Sequence, residues 1–413
     1  MHSLVRSIIF FSVFCGGMLG TYSSVSASSW WDVQAIDTMK YSRDLSREKL
    51  RDSSFTLEIS KQMKQIAETG ATHVGIATPY DEEFIPVLRK WVAAARAEGL
   101  SVWFRGNWSG WEGWFNYPRI TREVHIQKTR KFLDEHQDLF EDGDIFSACP
   151  ECENGGPGDP RATGDIKGYQ KFIITEHELA KEAFRNMGKN VASNWQSMNA
   201  DVAQAVMDKE TTRAMDGLVV IDHYVRDPKQ VARDIAQIAE QSGGKVALGE
   251  FGAPIPDLHG AMSEVQQAAW IDSALHDISL SPHVTGVSYW TNMFGSTKLW
   301  NDDGSPRLVV DVLKKYYLPK EIRGVVTGIW GRELRNVHVM SSEGVITTTD
   351  NDGAFVVPYL TLPFDIAINH EGYEDLDRRV AVGDVGGVAQ IKLTSEGFFT
   401  AMHFFFCGFF WSC

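Results

Sequence analysis

From Trp31 to Trp290 the chain repeats one pattern: a short apolar, β-branched run, a loop, then a segment with helical spacing. The runs fall at 32–36, 73–77, 100–104, 144–148, 190–193, 217–221, 245–248 and 285–289, eight in all. The segments between them place apolar residues on one helical face, as in Phe84, Val87, Leu88, Trp91, Val92 and in Val231, Ile235, Ile238, Ala239. Strands separated by helices pair in parallel, and eight such units in this length predict a closed (β/α)8 TIM barrel. A doubly wound open sheet is the alternative, but no glycine-rich nucleotide loop follows the first run.

Beyond Pro319 the pattern changes. Residues 322–393 hold no good helix; short alternating strands are expected at 324–329, 337–340, 345–349, 355–358 and 364–369. Turns such as Asp350-Asn351-Asp352-Gly353 interrupt them, which predicts a small all-β sandwich. The series "GVVTG…LRNVHVMSS…ITTTDNDGAFVVPYL…DIAINHEGYE" resembles the carboxypeptidase-regulatory-like domain, a transthyretin- or immunoglobulin-like sandwich. That resemblance implies an accessory module with no catalytic residue.

The two ends differ from the rest. Residues 1–27 have the form of a secretory signal: Arg6, an apolar stretch from Ile8 to Leu19, then Val25-Ser26-Ala27. The expectation is an exported protein, extracellular or periplasmic. At the other end, eight of the sixteen residues from Phe398 to Cys413 are aromatic. As a helix that stretch would span about 24 Å, short of a bilayer core of about 30 Å. Weak membrane association and a frayed end both stay open for 397–413, and no function is assigned to it. The expected division is thus 1–27 signal, 28–319 barrel, 320–396 sandwich, 397–413 tail. The formal charge of −14 argues against a nucleic-acid partner, since phosphate neutralisation needs a basic surface.

In such a barrel the chemistry sits at the C-terminal ends of the strands. The fourth run leads into Cys149-Pro150-Glu151-Cys152-Glu153-Asn154, and the seventh into Leu248-Gly249-Glu250-Phe251-Gly252. Two carboxylates facing one cavity are what glycoside hydrolysis requires: one protonated to release the leaving oxygen, one ionised to attack the anomeric carbon. A glutamate after a strand is, on its own, more often a solvated loop residue or a helix N-terminal charge. At this point the chain, over residues 30 to 318, resembles the clan A glycoside hydrolase superfamily. "LGEFG" at 248–252 matches its nucleophile strand, "SYWTN" at 288–292 its eighth strand and "DHY" at 222–224 its sixth. The resemblance implies Glu250 as nucleophile and Trp290 as the floor of the sugar site. It implies Tyr224, or else His223, as the group steadying the nucleophile. The fourth strand departs from the clan, with Pro150 where an asparagine normally precedes the acid. Glu151 fits the acid/base place better than Glu153, and Glu153 with Asn154 is the candidate replacement for the missing sugar contact.

Cys149 and Cys152 admit a disulfide bracing this loop or two free buried thiols. No second cysteine or histidine pair stands at ligand spacing, so no metal is expected, and no cofactor. The third-strand loop carries Arg105, a candidate for a sugar hydroxyl or for the nucleophile carboxylate. It also carries Trp108, Trp111 and Trp114, spaced by glycine, whose indoles suit stacking on pyranose rings or burial within the loop. Asn194 and Trp195 after the fifth run are further candidate sugar contacts. Asn107-Trp108-Ser109 also matches a glycosylation acceptor. Of thirteen tryptophans, seven (Trp103, Trp108, Trp111, Trp114, Trp195, Trp290, Trp300) fall on or just beyond strands three, five and eight, which favours a sugar-facing cleft for most of them. The expected function is retaining O-glycoside hydrolysis of a poly- or oligosaccharide; the alternative is a non-catalytic carbohydrate-binding protein on a degenerate barrel.

Overall fold

The computed structural model describes residues 29–38, 40–108 and 118–397. Eight parallel strands, β1 (Val33–Asp37), β2 (His73–Ile76), β3 (Ser101–Phe104), β4 (Ile145–Phe146), β5 (Ser197–Asn199), β6 (Leu218–Asp222), β7 (Lys245–Phe251) and β8 (Val284–Tyr289), form one sheet. Its order is β4-β3-β2-β1-β8-β7-β6-β5. The two outer strands meet: Ile145 pairs in parallel with Ala192, and Phe146 N donates to Ala192 O at 2.8 Å. The sheet therefore closes as a (β/α)8 barrel.

The outer helices form for local reasons. Helix Pro228–Ser242 opens with proline in its first turn, where a missing N–H costs nothing, and Asp227 caps Lys229 N. It stops at Gly243, whose φ of 70° suits glycine. Val231, Ile235, Ile238 and Ala239 form its buried stripe, and each large apolar side chain there contributes about 1.5–3 kcal/mol by leaving water. Inside the barrel a separate cluster of Val33, Ala35, Trp103, Ile145, Trp195, Leu218, Val220 and Ala247 fills the lumen, so the interior is packed.

The fifth strand lies differently from its expected place at 190–193. The chain meets β4 at Ala192 and continues to Asn199, where β5 pairs with β6. The polar residues from Ser193 to Gln196 read as a loop, yet their groups are satisfied inside the wall: Gln196 accepts from Cys149 N and Asn194 donates to Met215 O. The seventh strand likewise runs past its expected end at 248 to Phe251.

Seven more strands follow: β9 (Lys320–Thr327), β10 (His338–Ser341), β11 (Ile346–Thr348), β12 (Ala354–Tyr359), β13 (Phe364–Asn369), β14 (Leu376–Val380) and β15 (Val388–Lys392). They make a four-stranded sheet, β11-β10-β13-β14, and a three-stranded one, β12-β9-β15. One core, with Ile322, Val326, Phe355, Ile366 and Ile368 among its members, joins both sheets. β14 and β15 are edge strands; β14 carries Asp377, Arg378 and Arg379, while β15 exposes Val388, Gln390 and Lys392, and neither shows the apolar alternation of an inner strand.

Candidate active site

Glu250 is the sixth residue of β7 and is 4% exposed. Ala247 points into the lumen, so plain alternation would turn Glu250 outward. The ladder is irregular on both sides here, between Ile221 and Asp222 against β6 and between Leu248 and Phe251 against β8. Such irregularities re-aim side chains, and Glu250 ends among charged groups at the C-terminal mouth. Its Oε2 accepts from Tyr224 Oη at 2.9 Å, and its Oε1 faces Arg105 Nη2 at 3.2 Å. Burial, followed by the charge of Glu250, raises the Tyr224 phenol well above its ordinary value, so it stays a donor.

Arg105 is fully buried and joins four strand ends, those of β1, β5, β6 and β7. Nη1 reaches Asp37 at 2.6 Å and Gly249 O, while Nη2 reaches Ser197 Oγ at 3.1 Å and Asp222 at 3.5 Å. Of the two roles expected for it, the contact to Glu250 is the one its burial permits. Burial pushes the Asp37 carboxyl up to about 6 against the pull of Arg105, and burial with Glu250 raises that of Asp222. Asp37 Oδ1 and Asp222 Oδ2 are buried with no hydrogen-bond partner, which suits a set of carboxyls that is not fully ionised.

Glu151 comes from the loop after β4, at φ 52°, a left-handed conformation costing about 1–2 kcal/mol for a non-glycine residue. The loop is tied on both sides of it. Cys149 and Cys152 are joined as a disulfide, Glu151 N donates to Ser197 O and Asn154 N donates to Glu151 O, both at 2.9 Å. A ring nitrogen of His125 lies within 4.8 Å of both sulfurs, a neighbour that sequence spacing did not reveal. Carboxylate oxygens of Glu151, Asp222 and Glu250 all lie within 4.8 Å of one another. Between Glu151 and Glu250 sits Lys40, its Nζ 2.8 Å from Glu151 Oε2 and in contact with Glu250 Oε1. Burial pulls its charge down, but Glu151 and then Glu250 outweigh it and hold the ammonium above the ordinary lysine range.

Several expected contacts fall elsewhere. Glu153, two residues on, is 4% exposed and turned under the loop, where it accepts from Asn199 N at 2.7 Å, Asn199 Nδ2 at 3.0 Å and Tyr169 Oη at 3.2 Å. Burial pushes its carboxyl up to about 7 despite those bonds. Trp195 belongs to the lumen core, edge-on to Trp103, because the fifth strand runs farther than expected. Asn194 binds Met215 O, ahead of β6 and so at the opposite end of the barrel. Trp108 packs on Tyr80, His125 and Phe132. The His223 ring pairs with Asp234 at 2.9 Å, and its link to Glu250 is only the backbone N donating to the carbonyl O. Trp103 and Trp300 are buried too, so among the described members of the seven only Trp290 keeps a partly open face at the mouth, edge-on to Tyr224. Trp111, Trp114, Ser109, the 1–27 segment and the aromatic tail lie outside the described residues. Asn154, half-buried, stays beside Glu151, its Nδ2 3.5 Å from Oε1.

Asp37, Lys40 and Asp222 are site members that the sequence reading passed over. Each follows or ends an apolar run on the same barrel face, and that position was the available signal.

No protein-family model matches the sequence, and no curated protein is significantly similar to it. Solved structures similar to this chain include the GH5_18 protein from Bifidobacterium longum subsp. longum, at 13% identity over 73% of this chain and 85% of that one, with a TM-score of 0.49. A GH5-4 broad-specificity endoglucanase from Clostridium longisporum aligns at 15% identity over 63% and 85%, TM-score 0.44. A β-glucuronidase from Parabacteroides merdae aligns at 12% over 83% of this chain and 46% of its own length, TM-score 0.44.

Proposed function

We propose that this chain is an exported glycoside hydrolase that cleaves O-glycosidic bonds of a poly- or oligosaccharide with retention of configuration. The observation that carries the reading is the separation of Glu151 and Glu250, whose carboxylate oxygens lie within 4.8 Å at the barrel mouth. Retaining enzymes hold their two carboxyls about 5–5.5 Å apart, whereas inverting ones need about 6.5–9.5 Å to admit a water. Glu250 attacks the anomeric carbon while Glu151 gives its proton to the leaving oxygen. Glu151 then takes a proton from water as that water breaks the glycosyl–Glu250 bond. Tyr224 and Arg105 fix the Glu250 carboxylate for in-line attack. Trp290, and Asn154 beside Glu151, are the sugar contacts this reading retains. Residues 28–319 act as the catalytic unit and 320–396 as an accessory, carboxypeptidase-regulatory-like module.

A carbohydrate-binding protein without turnover is the second reading, favoured by the ammonium of Lys40 seated between the two carboxylates. Wild type, Glu250→Gln and Glu151→Gln, incubated with a panel of plant and microbial glycans, separate the two. Hydrolysis is expected from wild type, with a loss of at least about 1,000-fold in Glu250→Gln; the first-formed anomer, read by proton NMR, should match the substrate. Glycan binding with no product at high protein concentration would establish the binder, and near-wild-type rates in both variants would overturn the mechanism.

A further inference from the structure

The double displacement asks Glu151 to begin as a neutral acid, yet an ammonium lies 2.8 Å from its Oε2. A cation at that distance favours the carboxylate form. The other groups facing Glu151 come from several elements. Asp37 on β1, Asp222 on β6, Glu250 on β7 and Glu153 in the same loop are carboxyls, each of which favours a proton on Glu151. Tyr224 is a neutral phenol, and the second cation among the described residues, Arg105, pairs with Asp37, Gly249 O, Asp222 and Glu250 and acts on Glu151 through its charge without a hydrogen bond. Lys40 is thus the group through which Glu151 is bound to the charge of the nucleophile. Its side chain is 16% exposed and ends a flexible four-carbon stem, so the ammonium can stay on Glu250 while it leaves Glu151.

Resting on the hydrolase reading, we propose that Lys40 is a positioning residue that ties Glu151 to Glu250 in the free protein and sets the pH below which Glu151 acquires the proton it later donates. On acidification Glu151 takes one proton from solvent and releases the ammonium, which remains paired with Glu250. That proton passes to the leaving oxygen as the glycosidic C–O bond breaks and the Glu250–carbon bond forms. Water restores it in the second step. The protein therefore works on the acidic side, and its alkaline limit belongs to the Lys40–Glu151 contact.

The test uses Lys40→Met, Lys40→Gln and Lys40→Arg in the full chain, with near-UV circular dichroism to verify folding and Lys40→Gln as the second variant should Lys40→Met not fold. Two readouts are compared. One is the pH profile of kcat/KM on the glycan that wild type cleaves; the other is a carbon-13 NMR titration of the Glu151 carboxyl, assigned by its loss in Glu151→Gln. Both the alkaline limb and the Glu151 midpoint should rise by at least about one pH unit, tenfold in proton affinity, in the neutral variants. Lys40→Arg should stay near wild type. An unmoved midpoint overturns the proposal, and so does a raised midpoint with an unmoved alkaline limb. Should wild type cleave no glycan, the hydrolase reading fails by itself, while the carboxyl titration still decides whether Lys40 controls Glu151.

Discussion

Replacing Glu153 by glutamine should make the protein more stable at pH 8 than at pH 5 relative to wild type, while leaving hydrolysis largely intact. The carboxyl is buried, and burial raises it from an ordinary 4.5 to about 7, only partly opposed by the hydrogen bonds from Asn199. Between those two values the folded state binds a proton that the unfolded chain has already released, so wild-type stability falls as pH rises through this window. The whole interval corresponds to about 3 kcal/mol, and the portion between pH 5 and 8 to roughly 2–3 kcal/mol. Glutamine keeps an oxygen for Asn199 N and Nδ2 and turns an amide toward Tyr169 Oη, so the geometry survives without the titration. Urea unfolding of both proteins at pH 5 and pH 8, followed by tryptophan fluorescence, measures the difference directly. A stability gap that is the same at both pH values would refute the reasoning. A stable but inactive Glu153→Gln would return this residue to the chemistry.

Tyr224→Phe removes a hydrogen bond to a charged oxygen, about 1.5–3 kcal/mol, and should lower kcat/KM roughly 10- to 100-fold with little change in melting temperature. Arg105→Met leaves Asp37, Asp222 and Glu250 buried without their shared cation. A loss of about 3–5 kcal/mol is expected in denaturant titration, and a wild-type midpoint would show that the three carboxyls carry no net charge. Trp195→Ala should cost about 3–5 kcal/mol through the lumen cavity, with KM for a soluble glycan unchanged in steady-state kinetics. A raised KM with intact stability would put that indole back at the sugar.

Glu250 and Glu151 were reachable from the sequence because each stands within a few residues of an apolar run, and strand ends face the barrel mouth; Tyr224 was reached through the resemblance of residues 222–224 to the sixth strand of the clan A hydrolases. The tryptophans misled for a related reason. Exposure of an indole depends on where its strand ends, and the fifth strand pairs at Ser197–Asn199, beyond Trp195, so Trp195 packs on Trp103 in the lumen. Trp108, flanked by glycine-rich sequence on one side, folds back onto Tyr80 and Phe132. Glu153 differs from Glu151 by two positions, but the left-handed turn at Glu151 sends one carboxylate to the mouth and the other under the loop.

What the sequence determined by itself was the alternation of strand and helix, and with it the barrel, its order of elements and the face at which the candidate carboxylates gather. Periodicity is a local property, and eight parallel strands of this length have few ways to bury both faces. Lys40 between two carboxylates, the Arg105 link across four strand ends and the burial of most aromatics were decided only by the tertiary structure. Residues separated by more than 100 positions meet there because the sheet closes, and the ladder irregularities at Glu250 set where its side chain points. Charge pairing and exposure depend on those closures, and no local pattern records them.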